Sequence, residues 1–458
     1  MASDPSAAIA ALEQHLAGQQ PPLPLIKPSN ADFEATRLCY VRRDTVPSAI
    51  ARPQNAEHVQ ALVRYCTEKG VDFVVRGGGH DCAGRSQVHD ALSIDMRDIK
   101  HVHVSEDKKT AAVGGGILFR DLAKELDARG LVTPMGSVAS VGYVGWATLG
   151  GYGPFSTSHG LGVDQIVGAK VVNAKGELVE AGEELLQGIR GGGGIFGVIV
   201  ELTIKVYPLK ELLVSLLVFD SSDLKATWTS YAEGYEKLVA EQPLPRALQL
   251  QMFGIELPGL GKVMAVGATW ADADHEEGKR WINKIAALGK CLLNNPEPQS
   301  VSKYIAFNES LLVYGSYGRC YTLNLGKKTQ RTAEVLAKFT ESIPGGAVAV
   351  SVHALRAPAP SEEAVFGARV EHIMLELVCT TPVAEIAPKA ADLARATIQE
   401  LKETDAENVL ESSYVSLLGE EDSDYRKIYG SHYDKLVQLK KKYDPDNVFK
   451  YAVPQLSV

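Results

Sequence analysis

Three consecutive glycines, Gly77, Gly78 and Gly79, stand directly before His80, and they constrain this chain more than any other feature. Such a run cannot continue a regular helix, and without Cβ atoms it lets the backbone approach a ligand closely. It follows VDFVVR, which reads as a buried strand, so RGGGHDCAGRS is a loop at a strand end. Ahead of that strand Asn55 can cap a helix in which Ala56, Val59, Leu62, Val63 and Cys66 recur at helical spacing until Gly70. A second glycine-rich stretch holds Gly142, Gly145, Gly150, Gly151 and Gly153, and a third, IRGGGGIFG, precedes the long strand VIVELTIKVYPL. Between them the chain predicts strands at ALSIDM, HVHVSED and TAAVGGGI, a helix through Leu118, Leu122 and Leu126, and a hairpin turn at NAKGE.

Past Pro208 the glycine loops thin out. Strands at ALQLQMFGI, KVMAVGATW, AVAVSVHAL and RVEHIMLELV, with a helix through Trp228, Tyr231, Tyr235 and Leu238 and others around 275–288, 330–341 and 384–402, predict an antiparallel sheet backed by helices. The last stretch, YRKIYGSHYDKLVQLKKKY, reads as one charged helix whose lysines form a solvated face. A length of 458 residues suggests two or three domains.

Several function classes lack their central residues. IRGGGGIFG contains GxGxxG at Gly192, Gly194 and Gly197, but a helical segment precedes it and a strand follows, the reverse of a dinucleotide fingerprint. There is no GxxxxGK[ST] for nucleotide phosphates and no HExxH; His101 and His103 supply only two ligands, and Ser316 in YGSYG lacks the frame of a nucleophile elbow. A formal charge of −9 argues against nucleic acid as the main partner. No segment approaches the roughly 18 uninterrupted apolar residues that span a bilayer, so no membrane partner is expected. The N-terminus does not read as a secretory signal, and Cys39, Cys66, Cys82, Cys291, Cys320 and Cys379 form no CxxC pair, so the simple expectation is an intracellular, cytoplasmic protein with reduced thiols.

The ordered series RGGGHD, VGYVGWATLGGYG, HGLGVDQI, IRGGGGIFG and DPDNVF closely resembles the flavin-binding oxidoreductases of the vanillyl-alcohol oxidase and berberine-bridge-enzyme superfamily, and within it fungal members similar to 6-hydroxy-D-nicotine oxidase. The resemblance runs from about Cys39 onward. It implies an α+β fold with a two-part FAD-binding domain and an antiparallel substrate domain. The corresponding boundaries are an N-terminal segment 1–42, the FAD domain 43–211, the substrate domain 212–412, and a C-terminal segment 413–458 that returns to the FAD domain.

The resemblance also assigns residues. His80 would be joined covalently to a methyl carbon of the isoalloxazine ring, with Arg76, Asp81 and Ser86 beside it and the amides of Gly77, Gly78 and Gly79 around the pyrophosphate, since successive N–H groups bind an anion without a basic side chain. Gly136, Val141, Gly142, Gly145, Thr148, Gly151, Tyr152, Gly153 and Gly160 would contact the FAD, and Ile199 and Val200 would lie near its adenine. Where many relatives carry a second, cysteinyl bond this chain has Val138, so one covalent bond is expected; Cys82 reads as a small buried side chain. Relatives with a small valine at the position of Val141 tend to let dioxygen reach the reduced flavin, so the resemblance implies an oxidase. On the substrate side Tyr317, Tyr321, Tyr414 and Tyr451 are candidates, as are His372 and Glu376, which with Met374 alternate onto one strand face. Ser416, Leu417 and Ala452 replace polar residues common in the family.

The resulting expectation is an FAD-dependent oxidase that takes hydride from a C–H next to oxygen or nitrogen of a small alcohol, amine or carbohydrate and passes electrons to dioxygen, with a tyrosine or Glu376 assisting deprotonation. Alternatives are a flavoprotein dehydrogenase, a cyclase or ligand-binding flavoprotein without net redox turnover, or an inactive relative.

Overall fold

The computed structural model describes residues 5–356 and 363–456; residues 1–4 and 457–458 of the two expected terminal segments lie outside them. The helix Ala56–Lys69 forms as its sequence predicts: Asn55 Oδ1 accepts from His58 N at 2.8 Å, and Gly70 closes the helix at φ 66°. It packs on a four-stranded sheet in the order Leu25–Ile26, Ala49–Ala51, Leu92–Asp95, Phe73–Arg76, in which the last three strands run parallel. A five-stranded antiparallel sheet adjoins it: Val102–Val104, Thr110–Gly114, Val198–Lys205, Ile166–Val172 and Leu178–Glu180, with the NAKGE turn joining the last two in the sequence.

The largest sheet is antiparallel and follows the order Cys291–Leu293, Leu212–Phe219, Gly261–Trp270, Leu248–Leu257, Ala349–Leu355, His372–Thr381, Tyr317–Leu325, with Glu297–Gln299 also on Leu212–Phe219. Strand alternation splits its residues between two faces. Leu250, Val350, Leu375 and Leu323 pack under the helices Leu224–Glu241, Gln330–Glu341 and Ala387–Thr404, around the fully buried Trp228. Gln251, Phe253, Ser351, His353, Met374 and Glu376 therefore face the opposite way, towards the glycine loops.

The charged C-terminal stretch departs from the single helix that its sequence suggests. Gly430, at φ 52°, breaks it into Tyr425–Tyr429 and Tyr433–Tyr443. Nor is its lysine face wholly solvated. Lys440 is 1% exposed, and its Nζ donates to Asp444 Oδ2 at 2.5 Å and to the Ile195 carbonyl at 2.9 Å. Asp444 also accepts from Val448 N and Phe449 N, so each member of the buried pair has further hydrogen bonds and Asp444 holds the following turn. That turn brings Phe449 edge-on to Phe73 at 5.9 Å, and Tyr451 Oη donates to Asp72 at 2.8 Å, returning the C-terminus to the parallel sheet.

Candidate active site

A cavity of about 520 Å³ separates the large sheet from the glycine loops and the C-terminal turn. Strand Phe73–Arg76 delivers Gly77, Gly78, Gly79, His80 and Asp81 to one wall. This wall can exist only with glycine: a Cβ on Gly78 would fall 2.4 Å from Gly142 N, and one on Gly142 would fall 2.6 Å from Gly78 N. The two loops thus meet backbone to backbone. At Gly77, by contrast, the position of a Cβ has no atom within 4 Å, so that backbone edge is open. The N–H groups of Gly78, Gly79 and His80 donate to no group among the described residues, which makes them free donors at the cavity wall. Arg85 adds little net charge, because Asp81 accepts from its Nε at 3.0 Å.

His80 is held from behind. Its Nε2 lies 2.8 Å from Ser140 Oγ and 2.6 Å from Tyr314 Oη, and Tyr40 stacks on the ring at 5.1 Å. Burial, reinforced by the positive charges of Arg76 and Arg120, pushes the imidazole down to about 3, so it is neutral at physiological pH.

Across the cavity four polar side chains form a cluster on the facing side of the large sheet. Gln251 Nε2 donates to Ser351 Oγ at 2.7 Å; His353 Nε2 lies 3.0 Å from Ser351 Oγ and 3.2 Å from Glu376 Oε2. The register explains the meeting: Gln251 is opposite His353, and Ser351 is opposite Glu376. Phe253, Ile255, Leu312, Met374 and Val378 supply the apolar surroundings. Tyr414 closes one side, edge-on to Tyr152 at 4.8 Å, with burial pushing its phenol up to about 12.

Most of the residues proposed from the sequence come together here: Gly77, Gly78, Gly79, His80, Asp81, Ser86, Gly136, Val141, Gly142, Gly145, Thr148, Tyr152, Ile199, Glu376, Tyr414 and Tyr451 line the cavity. Others need correction. Arg76 points away, its guanidinium donating to the carbonyls of Thr36 and Leu38. Val200 alternates into the core beneath the parallel sheet, opposite in sense to Ile199. Gly151, Gly153 and Gly160 shape the loop rather than the wall: the first and last have φ of 84° and 91°, and a Cβ on Gly153 would meet the Met135 carbonyl at 2.0 Å. Tyr321 lies on the helix-covered face of its strand, where Arg395 Nη1 donates to its hydroxyl at 3.2 Å, while Tyr317 pairs outside the cavity with Arg42. His372 shares the face of Glu376 but sits beyond the cavity. Its Nε2 is 2.8 Å from Tyr152 Oη and its Nδ1 2.8 Å from the Val370 carbonyl, so it acts on the site only by holding Tyr152.

Sequence reasoning missed His353, Gln251 and Ser351, although SVHAL does carry a signal: polar residues at alternate positions of an apolar strand. It also missed Ser140, Tyr314 and Tyr40, for which local sequence offers none.

Residues 47–182 match the family model described as FAD binding domain, and residues 419–454 match that described as Berberine and berberine like. The chain is 33% identical over 442 residues to the FAD-linked oxidoreductase aurO of Gibberella zeae, covering 94% of this chain and 85% of the relative. It belongs to the berberine-bridge-type FAD-linked oxidoreductases. Another relative is the (R)-6-hydroxynicotine oxidase of Paenarthrobacter nicotinovorans, 26% identical, with 93% of this chain and 95% of that one aligned. Among solved structures, the glucooligosaccharide oxidase of Acremonium strictum, described with a 6-S-cysteinyl, 8α-N1-histidyl FAD, superposes with a TM-score of 0.79 over 98% of this chain and 100% of that one, at 18% identity.

As a member of this family the chain is an FAD-dependent oxidoreductase, and its own geometry fits that cofactor. The unpartnered N–H groups of Gly78, Gly79 and His80 suit an anionic pyrophosphate, and the apolar wall through Val141, Val144, Ile199 and Phe449 suits flat ring systems. Among the described residues no group of three or more His, Cys, Asp or Glu could hold a metal, and no helix is long and apolar enough to cross a membrane.

Proposed function

We propose that the protein is an FAD-dependent oxidase acting on a small, largely apolar organic substrate that carries one ionisable O–H or N–H next to the reacting C–H. The observation that carries this reading is the His353–Glu376 pair, set opposite the glycine wall on the far side of the cavity. FAD, when bound, supplies the two-electron sink for the hydride. The protein must position the substrate and accept its proton. Glu376 and His353 are the groups within reach for that task, and Ser351 and Gln251 hold them by hydrogen bonds. The remaining lining offers few free polar groups. Phe253, Ile255, Leu312 and Met374 favour an aromatic or alkyl body over a sugar, which would need a hydrogen-bond partner for each hydroxyl.

His80 is the residue for a single covalent bond to FAD, as its Nδ1 has no hydrogen-bond partner among the described residues. Val138 lines the cavity where a cysteine would be needed for a second bond. The small Val141 on the same wall supports the reading that dioxygen is the electron acceptor.

Acid denaturation followed by flavin spectra of pellet and supernatant tests the cofactor reading, and hydrogen peroxide release in a screen of phenols, benzylic alcohols, amines and sugars tests the rest. Pellet-bound flavin and peroxide with the apolar classes are expected. Product formed without bleaching of the flavin would replace the oxidase by a non-redox cyclase, and a reduced flavin that persists in air would make it a dehydrogenase.

A further inference from the structure

The hydrogen bonds behind His80 have no part in hydride transfer. Ser140 Oγ, 2.8 Å from His80 Nε2, is also 2.6 Å from Glu309 Oε2, and the same carboxylate oxygen accepts from Ser140 N at 3.1 Å. A hydroxyl has one proton, and an ionised carboxylate only accepts. The Ser140 proton therefore points at Glu309, so Ser140 Oγ can meet the imidazole only as an acceptor, and Tyr314 Oη, 2.6 Å from the same Nε2, then accepts from it as well. This places the ring proton on Nε2 and the lone pair on Nδ1. Tyr40, parallel at 15°, and Tyr314, edge-on at 89°, fix the ring between them, so this tautomer is presented in one orientation. Ser140 is 3% exposed, whereas Glu309, the last residue of the helix Val301–Glu309, is only partly buried and can exchange protons with water.

We propose that Ser140 and Glu309 form a proton relay that prepares His80 for covalent attachment to FAD, an inference that rests on the reading of His80 as the attachment residue. In the attachment step a bond forms between His80 Nδ1 and the 8α-methyl carbon as one C–H bond of that methyl breaks and releases its proton. Alkylation at Nδ1 makes the Nε2 proton acidic. That proton moves to Ser140 Oγ, which passes its own to Glu309 and from there to water. The two protons released balance the electron pair left on the flavin, which dioxygen removes as hydrogen peroxide. Glu309 is a positioning residue and acts only through Ser140. Its helix packs against Phe119–Asp127, so attachment also depends on that helix being docked.

The test compares wild type, Glu309→Gln, Ser140→Ala and Ser140→Thr as purified, measuring total FAD, the fraction retained in the acid pellet, and intact mass. A time course with added FAD between pH 6.5 and 9 follows attachment itself. Glu309→Gln and Ser140→Ala are expected to keep FAD but release most of it to the supernatant, with attachment slowed on the order of ten-fold or more and accelerating with pH as hydroxide replaces the relay. Ser140→Thr keeps the hydroxyl and is expected to stay covalent. A wild-type covalent fraction in Glu309→Gln would overturn the relay while leaving His80 as the attachment site. Loss of bound and attached FAD together would reduce Glu309 to a structural role and also overturn it. Wild-type FAD found wholly in the supernatant would overturn the attachment reading itself.

Discussion

His353 and Glu376 stand on neighbouring antiparallel strands with Nε2 3.2 Å from Oε2, and both line the cavity on the wall opposite His80. Neither is wholly buried, with side-chain exposures of 14% and 24%. A pair so placed can take a proton from a bound substrate and return it to solvent.

Glu376→Gln and His353→Asn should each lower kcat/KM on the best substrate by about 10²–10⁴, the range for loss of general-base catalysis. Their FAD content and thermal stability should stay close to wild type. Tyr321→Phe serves as the contrast, since its hydroxyl meets Arg395 outside the cavity; turnover should remain within about two-fold. Steady-state kinetics across pH checks this, and wild-type rates in Glu376→Gln would remove the pair from the reaction.

Gly78→Ala should cost the protein its cofactor. The added methyl would meet Gly142 N and the Ser140 carbonyl, and backbone cannot swing aside as a flexible side chain can. Overpacking of this kind costs about 1–3 kcal/mol. It would part the two loops that form the wall, so FAD occupancy should fall together with the melting temperature. Gly145→Ala, with no atom within 4 Å of the new carbon, should fold normally and keep most of its FAD. The absorbance ratio at 450 and 280 nm of the purified variants separates the two outcomes.

Acid should destabilise the fold partly through His372. Burial holds its pKa below the ordinary imidazole value, despite its bond to the Val370 carbonyl. Between the folded and unfolded values the unfolded chain binds the extra proton, so stability falls as the pH drops below about 6.5, with a limiting contribution of about 1.4 kcal/mol per pH unit. Above about 6.5 the group contributes no slope. His372→Gln should therefore show a shallower loss of melting temperature between pH 6.5 and 5 than wild type. Parallel curves would mean that His372 does not titrate on unfolding.

Much of this site was legible along the chain because backbone approach demands glycine locally. The run 77–79 and the cluster around 142 needed no knowledge of their partners to signal close contact, and periodicity at Ala56–Lys69 or at Met374 and Glu376 assigned faces without a tertiary structure. The same local logic misassigned Tyr321, because alternation tells which residues share a face but not which face meets the cavity. Only the docking of the helix layer decided that. It likewise could not reach the meeting of His353 with Glu376, 23 residues apart, or that of Ser140 with Glu309, 169 residues apart. Lys440, in a lysine-rich run, has its ion-pair partner Asp444 only four residues on, but its burial depends on the docking that brings Nζ to the Ile195 carbonyl. The sequence by itself determined where backbone must come close and which residues alternate together, since both follow from φ, ψ and Cβ. Which side chains share protons was decided by strand register and by the docking of loops and helices, which bring distant segments within hydrogen-bonding reach and which no local pattern encodes.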